Sequence, residues 1–456
     1  MTTTYTEPAQ HLPARSFDVV VAGGGTGGVV AALAAARQGA RTALIEMKGY
    51  TGGIAVEGGT ALHSYYNLWK AFPGVEKRQV VRGLPLEIAD RIYAAGGATG
   101  HVEMLEGYDY DSVCTAIDTE ITKLVTLTML EEAGVHLCLN TMLTGAIVDA
   151  SSVRGVIAES HQGREALMAS AFIDATGYGD LCARAGAPYT EPNDYPVVNS
   201  IGLGNVSLEG YYDFIIRHDA LSQYARGRRS GAEDQIVRLD GRGVTMPEGF
   251  ADGAREIGMS FVTTTVHDNY FMFIKINYKM NVSPTDRDAA AAAEVELRRR
   301  QARAVELFRQ YVPGCEKAFI ARTSPSLTIR RGRLITCDYD ITLDDVLEAR
   351  HFEDDTFVYG FHDSAPRLQI RDGRTYGFPY RAMRVQGLDN LLATGMMITS
   401  DHEAHMSTRN TVACMGQGQA AGTAAALCAQ RDEGTRDLPY TLLRETLEQA
   451  GVYFEE

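Results

Sequence analysis

Late in the chain stands a group of residues able to move a proton and hold an anion. His402, Glu403, His405 and Arg409 fall within eight positions of one another. Arg331 and Arg333 have the two-residue spacing that puts side chains on one face of a strand, where either could grip a carboxylate bidentately. Salt bridges to Asp338, Asp340 or Asp345 are the structural alternative for that pair. Tyr380 offers a hydroxyl to a substrate oxygen, or only its ring to a core, and Arg381 follows it. His63, behind Gly58-Gly59-Thr60, has three open roles: a base, a covalent attachment point or a structural histidine. His402 and His405 with Glu403 fall one residue short of HExxH and have no third ligand suggested nearby, so no metal is expected.

Such side chains need a scaffold, and its plainest part is N-terminal. Residues 19–46 read as a strand, a glycine turn, an Ala-rich helix, a second strand and a terminal acid, the pattern of a dinucleotide-binding βαβ unit. Gly23 allows the tight turn, Gly25 lets backbone approach a pyrophosphate, and Gly28 lets helix and strand pack closely. Thr26 and Gly27 open the helix, whose N-terminal N–H groups and dipole favour phosphate. Gly39 suits the helix end. Glu46, 18 residues after Gly28, closes the strand Thr42 to Ile45, where a carboxylate accepts hydrogen bonds from ribose hydroxyls and disfavours a 2′-phosphate, hence NADP.

Composition limits the partners. With 456 residues the chain can hold two packed cores, and 45% hydrophobic with 22% charged residues is ordinary for a soluble globular protein. A formal charge of −15 argues against nucleic acid or an anionic membrane as a partner. The seven cysteines include no CxxC pair, which fits buried thiols in a reducing compartment. Residues 1–16 lack the apolar stretch of a signal peptide, and no apolar run is long enough to span a bilayer. The expected location is cytoplasmic, with a homodimer as the default assembly.

Along the chain, a helix is expected over Asp111 to Glu132, a strand over Val135 to Asn140, and paired strands over Asn140 to Asp149 and Ser152 to Glu159. Leu167 to Ile173 then leads to Asp174-Ala175-Thr176-Gly177-Tyr178-Gly179-Asp180. From about residue 199 the character changes to alternating stretches, Phe261 to Thr265 and Tyr270 to Tyr278, with a long charged helix over Asp286 to Tyr311. A strand at Leu391 to Thr394 and an Ala/Gly-rich helix over Val412 to Gln430 follow.

Together these motifs resemble the FAD-dependent oxidoreductases of the glutathione-reductase-like superfamily, on the branch near fumarate reductase. The resemblance rests on the N-terminal unit, Ile173 to Gly177 with Gly179-Asp180, Ile329 to Arg333 leading into Tyr339 to Asp345, Gly377 to Arg381, Leu388 to Gly395, His402 to His405 with Arg409, and Gly418 to Gly422. It implies an α/β fold, a Rossmann-type FAD-binding domain with an inserted α+β substrate domain. The FAD-binding parts would be 1–198 and 376–456, the substrate or cap domain 199–375. FAD would be held by Gly23, Gly25, Thr26, Gly27, Gly28, Glu46, Gly53, Thr176, Gly177, Gly395 and the segment Gly418, Gln419, Ala420, with Met142 or Leu143 near the adenine. The Gly418 segment, read as opening a helix, would point its N-terminus at the flavin. His402, Arg331, Tyr380, Arg381, Arg409 and His63 are the candidate catalytic residues.

A second glycine-rich nucleotide site is missing from the sequence, so the substrate itself is expected to supply the reducing equivalents. The resulting expectation is a dehydrogenase, oxidase or desaturase taking a hydride from a small polar metabolite, with the electron acceptor, oxygen or another, left open. The alternatives are a flavin-dependent monooxygenase or halogenase served by an external reductant, and a flavin-binding scaffold without catalysis.

Overall fold

A computed structural model describes residues 4–59, 61–67, 74–107, 112–192, 194–362 and 368–455; Thr60 and Asp111 lie outside them. The elements that frame the site are, in chain order, β1 (Val19–Ala22), α1 (Thr26–Arg37), β2 (Thr42–Ile45), α2 (Thr119–Glu132), β3 (His136–Cys138), β4 (Ala171–Asp174), β5 (Tyr195–Gly204), β6 (Tyr270–Met280), α3 (Arg287–Tyr311), β7 (Phe319–Thr323), β8 (Thr328–Ile329), β9 (Leu391–Ala393), α4 (His402–Thr408) and α5 (Thr411–Arg431).

The first core is built on a parallel sheet in the order β9-β4-β1-β2-β3. Strands buried on both faces need continuous apolar runs, and Val19-Val20-Val21 is such a run, wholly shielded from solvent. From β1 the chain passes to β2 on one side and later returns to β4 on the other. That reversal opens a crevice at the carboxyl ends of β1 and β4, the place where open α/β sheets bind ligands. α1 is apolar on all sides because it lies between the sheet and α5. Beside this core, residues 142–168 form an antiparallel sheet with Ala14–Ser16 at its edge.

A second core gathers on the sheet β6-β5-β7, which β8 joins through β5. The long helix α3 covers it with Leu297, Leu307 and Phe308, and Asp286 caps that helix by accepting the N–H groups of Asp288 and Ala289. A further six-stranded sheet joins Leu221–Arg229 and Ala232–Gly241 to strands at 61–62, 102–106, 113–116 and 263–264, so the chain crosses between the layers more than once. Among the described residues no helix is long and apolar enough to cross a membrane.

Three expected elements differ. The helix expected from Asp111 starts at Thr119, where the Asp118 carboxylate caps it; residues 113–116 are a strand paired with Val102–Glu103. Leu167 to Ile173 is two strands in two sheets, Gly163–Met168 and β4. Of the stretch Phe261 to Thr265, only Thr263–Thr264 is a strand.

Candidate functional site

At the end of β1 the backbone turns on Gly23, whose φ is +98° and whose N–H donates to the Ile45 carbonyl at 2.8 Å. A Cβ on Gly28 would collide with the Gly23 carbonyl, so glycine alone permits α1 to rise directly from the turn. Gly53 abuts Gly25: a Cβ there would lie 2.7 Å from the Gly25 Cα, and the Thr26 hydroxyl donates to the Gly52 carbonyl at 3.1 Å. The start of α1 has no side-chain cap and no acid in its first turn. Its N–H groups therefore form an uncapped, positively polarised end, suited to a pyrophosphate.

Glu46 sits at the end of β2, where its carboxylate accepts the N–H groups of Gly24 at 2.7 Å and Lys48 at 2.9 Å. Burial raises its pKa above the usual carboxylate range against the pull of those two bonds. Two carboxylate oxygens have lone pairs to spare for a ribose. Across the crevice, the wholly buried Asp174 accepts Thr176 N–H at 3.0 Å, Thr176 Oγ1 at 2.7 Å and Cys182 N–H at 2.8 Å. It thereby holds the Thr176-Gly177 turn. Next to it, Gly395 turns with φ +103° and open space where a side chain would be, its N–H donated to Gln417 Oε1 at 2.7 Å. Gln417 is fully buried and also donates to the Thr408 carbonyl, so it ties the β9 turn to the helices behind it.

The segment Gly418 to Gly422 does not open a helix. α5 begins at Thr411, and these residues lie in its interior. Their smallness serves helix packing: a Cβ on Gly418 would strike the Gly27 carbonyl and one on Gly422 the Ala31 carbonyl. Gly27 to Ala31 and Gly418 to Gly422 are equal four-residue steps in the same direction, so α1 and α5 run parallel. Gln419 accepts Leu84 N–H at 2.9 Å and donates to the Ala450 carbonyl at 3.3 Å, and Ala420 is buried beside it. The start of α5 is instead Asn410-Thr411, and the Asn410 side chain donates to the Met406 and Ser407 carbonyls rather than capping α5.

Four cationic or basic side chains gather beyond the Gly395 turn. Arg331 is only 6% exposed; its Nη2 donates to the Ser400 carbonyl at 2.6 Å, its buried Nε has no partner, and among the described residues no carboxylate is within ion-pair distance. Burial lowers its pKa, with Asp194 and Asp401 opposing that and Arg409 reinforcing it. His402 is half exposed, its Nε2 3.7 Å from Asp194. His405 is buried and its Nε2 lies 2.7 Å from the Met396 carbonyl, so it is the N–H donor there. Burial, and then the charge of Arg409, pull the His405 pKa down to about 3, which keeps the ring neutral. The half-buried Arg409 places Nη2 3.5 Å from Met406 Sδ.

The remaining candidates fall elsewhere. Arg333 does not share the surroundings of Arg331: it pairs with Asp180 at 2.9 Å and donates to the Tyr178 carbonyl. Tyr380 is buried and spends its hydroxyl on the Thr435 carbonyl at 2.9 Å. Arg381 pairs with Asp354 and lies over the rings of Tyr339 and Phe352. His63 is half-buried just after the strand Ala61–Leu62. Asp174 lies in the motif quoted from sequence without a role of its own, whereas Asp194 and Gln417 are site residues that sequence reasoning misses; for Gln417 the signal is an amide side chain inside an otherwise small and apolar helix.

The family described as FAD dependent oxidoreductase matches residues 18–447. The chain belongs to that family, is an FAD-dependent oxidoreductase, and has FAD as its cofactor. No curated protein matches it. Among solved structures, a geranylgeranyl bacteriochlorophyll reductase-like protein from Thermoplasma acidophilum is 12% identical, with a TM-score of 0.48, over 96% of this chain and 83% of that one. GidA from Aquifex aeolicus is 15% identical at a TM-score of 0.48, over 91% of this chain but 64% of its own. The p-nitrophenol 4-monooxygenase PnpA from Pseudomonas putida is 10% identical at a TM-score of 0.45, over 96% and 88%. Likenesses this distant assign no reaction.

Proposed function

We propose that this FAD-dependent oxidoreductase removes a hydride from a small polar metabolite carrying a carboxylate, as a dehydrogenase, oxidase or desaturase on the fumarate-reductase-like branch of the glutathione-reductase-like superfamily. The observation that supports it most is Arg331, a buried guanidinium with no carboxylate in ion-pair range among the described residues and a buried Nε without a partner. An unpaired buried charge is costly, and a substrate carboxylate would supply the missing partner.

The cradle fits FAD. Gly23, Gly25, Thr26 and Gly53 with the α1 N-terminus would hold the pyrophosphate, Glu46 the ribose, and Thr176, Gly177, Gly395 and the start of α5 the flavin side; Gly27 and Gly28 contribute by letting helices and strand close up. When bound, FAD supplies the hydride acceptor. Arg331 would orient the substrate, and His402 would take the proton released with the hydride, its exposed ring steadied by Asp194. Arg409 adds positive charge to the same corner. His405, held neutral, is a positioning group for the Met396 carbonyl. Tyr380 and Arg381 are assigned no catalytic part, since both are committed inside the fold, and His63 is a secondary candidate. In this arrangement 199–375 forms the wall over the substrate and 1–198 with 376–456 the FAD-binding part, with strands from 61–116 shared between them.

The test is anaerobic mixing of the purified holoprotein with a panel of hydroxy, amino and saturated carboxylic acids and uncharged polar metabolites. Bleaching of the flavin absorption by a carboxylate-bearing compound is expected. Reduction only by NADH or NADPH would overturn the proposal.

A further inference from the structure

A double irregularity in the β6-β5-β7 sheet builds a second cationic cradle, apart from Arg331. At Gly202 both neighbouring strands shift register: β6 between Ile201↔Ile274 and Leu203↔Phe271, β7 between Gly202↔Arg322 and Leu203↔Ile320. Bulges re-aim side chains, and these leave the Met272 carbonyl to accept Arg322 Nε at 3.2 Å and Nη2 at 3.0 Å. Gly202 makes the room: a Cβ there would stand 2.6 Å from the Tyr270 hydroxyl and 2.9 Å from Arg322 Cγ. Arg322 and Tyr270 therefore lie side by side over the glycine. On its other side the guanidinium reaches the Glu57 carbonyl and Ser200 Oγ, each at 3.4 Å, and the Tyr270 hydroxyl is a further hydrogen-bond partner. That carbonyl already accepts the hydroxyls of Ser200 and Ser324. Among the described residues no carboxylate is within ion-pair distance of Arg322, although burial disfavours its charge and Asp118 and Glu120 act on it only through space.

A guanidinium anchored by one carbonyl, loosely held at its outer edge and lacking a counter-ion is built to receive one. We propose that Arg322, with Tyr270 and Ser200, forms a binding site for a small carboxylate on the wall of the β6-β5-β7 sheet that meets the segment at Glu57-Gly58. The proposal rests on the function above only in taking that wall as part of the substrate cleft, and binding at Arg322 is measurable without turnover.

The experiment is calorimetric titration of sodium acetate into holoprotein carrying Arg331→Met, which removes the other buried arginine, and into the same protein carrying Arg322→Met as well. The single variant is expected to keep one saturable binding event, and the double variant to weaken it by about tenfold or more. Tyr270→Phe on the single variant should cost about two- to threefold. Should the double variant fold poorly, Gly202→Ala on the Arg331→Met protein probes the same cradle, because the methyl displaces Tyr270 and Arg322; weakened acetate binding with FAD retained is expected. Absence of acetate binding in Arg331→Met, or equal affinity with and without Arg322, overturns the site. Binding of inorganic phosphate about tenfold tighter than acetate overturns its assignment to a carboxylate. If no metabolite reduces the flavin yet the Arg322-dependent event persists, the hydride-transfer reading fails and the anion site stands.

Discussion

The glycine turn at Gly23 to Gly28 and the arginine corner around Arg331 are both binding surfaces, yet they are made in opposite ways. In the turn, neighbouring backbone sets the shape: Gly28 meets the Gly23 carbonyl five residues away, and a single added carbon would close the passage. In the corner, side chains brought from remote stretches set the chemistry: Arg331 meets the Ser400 carbonyl across 69 residues. A turn made of close-packed backbone, as at Gly28, leaves no room for a side chain. A substrate corner made of side chains survives substitution as a fold and changes only in what it binds.

That contrast orders the expected effects. Gly28→Val should be the most damaging change, since its side chain must displace the Gly23 carbonyl; loss of FAD and of soluble protein is expected, read as flavin per chain and melting temperature, at a cost at or beyond the roughly 1–3 kcal/mol of ordinary overpacking. Retained flavin and an unchanged melting temperature would break the comparison from its backbone side. Arg331→Met should leave flavin content intact while lowering kcat/KM for a carboxylate substrate by about a hundredfold, or roughly 2–3 kcal/mol, mostly through KM.

His405 belongs to the arginine corner, where it holds the Met396 carbonyl next to the Gly395 turn and feels Arg409 and Arg331. Its pKa in the fold, about 3, lies below the unfolded value of about 6.5, so protonation favours unfolding. Its contribution is complete above about pH 6.5 and is lost as pH falls towards 3, at about 1.4 kcal/mol per pH unit. Thermal melts at pH 7, 6 and 5 should therefore fall more steeply in the native protein than in His405→Gln. Parallel curves would show that some other group controls acid stability. The smallest effect belongs to Tyr380→Phe, which loses one buried hydrogen bond to the Thr435 carbonyl: about 1 kcal/mol in denaturant unfolding with KM unchanged.

Legibility in sequence followed the same division. The strand Thr42–Ile45 and the Asp286-capped helix ending at Tyr311 are found where expected, because β-branched runs, a capping acid and helical periodicity are local signals. Residues 113–116 misled because their strand exists only through pairing with 102–103 and 61–62, which helical periodicity running on into Glu132 conceals. Gly418 to Gly422 resembled a helix start because small residues serve both close ligand approach and close helix approach; contact with Gly27 and Ala31 decides between them, and sequence does not display that contact. His402, Arg331 and Arg409 could be named from residue type and the family resemblance. Their separation from Tyr380 and Arg381 came only with the partners Thr435 and Asp354.

The most direct measurement is anaerobic reduction of the bound flavin, followed by its visible absorption, as the carboxylic-acid panel is added to the native protein and to Arg331→Met. Saturable bleaching by a carboxylate-bearing metabolite is expected in the native protein, and in the variant the same bleaching only at a concentration about a hundredfold higher. Bleaching at equal concentrations in both proteins, or none by any metabolite while NADH or NADPH reduces the flavin, would contradict the proposed function.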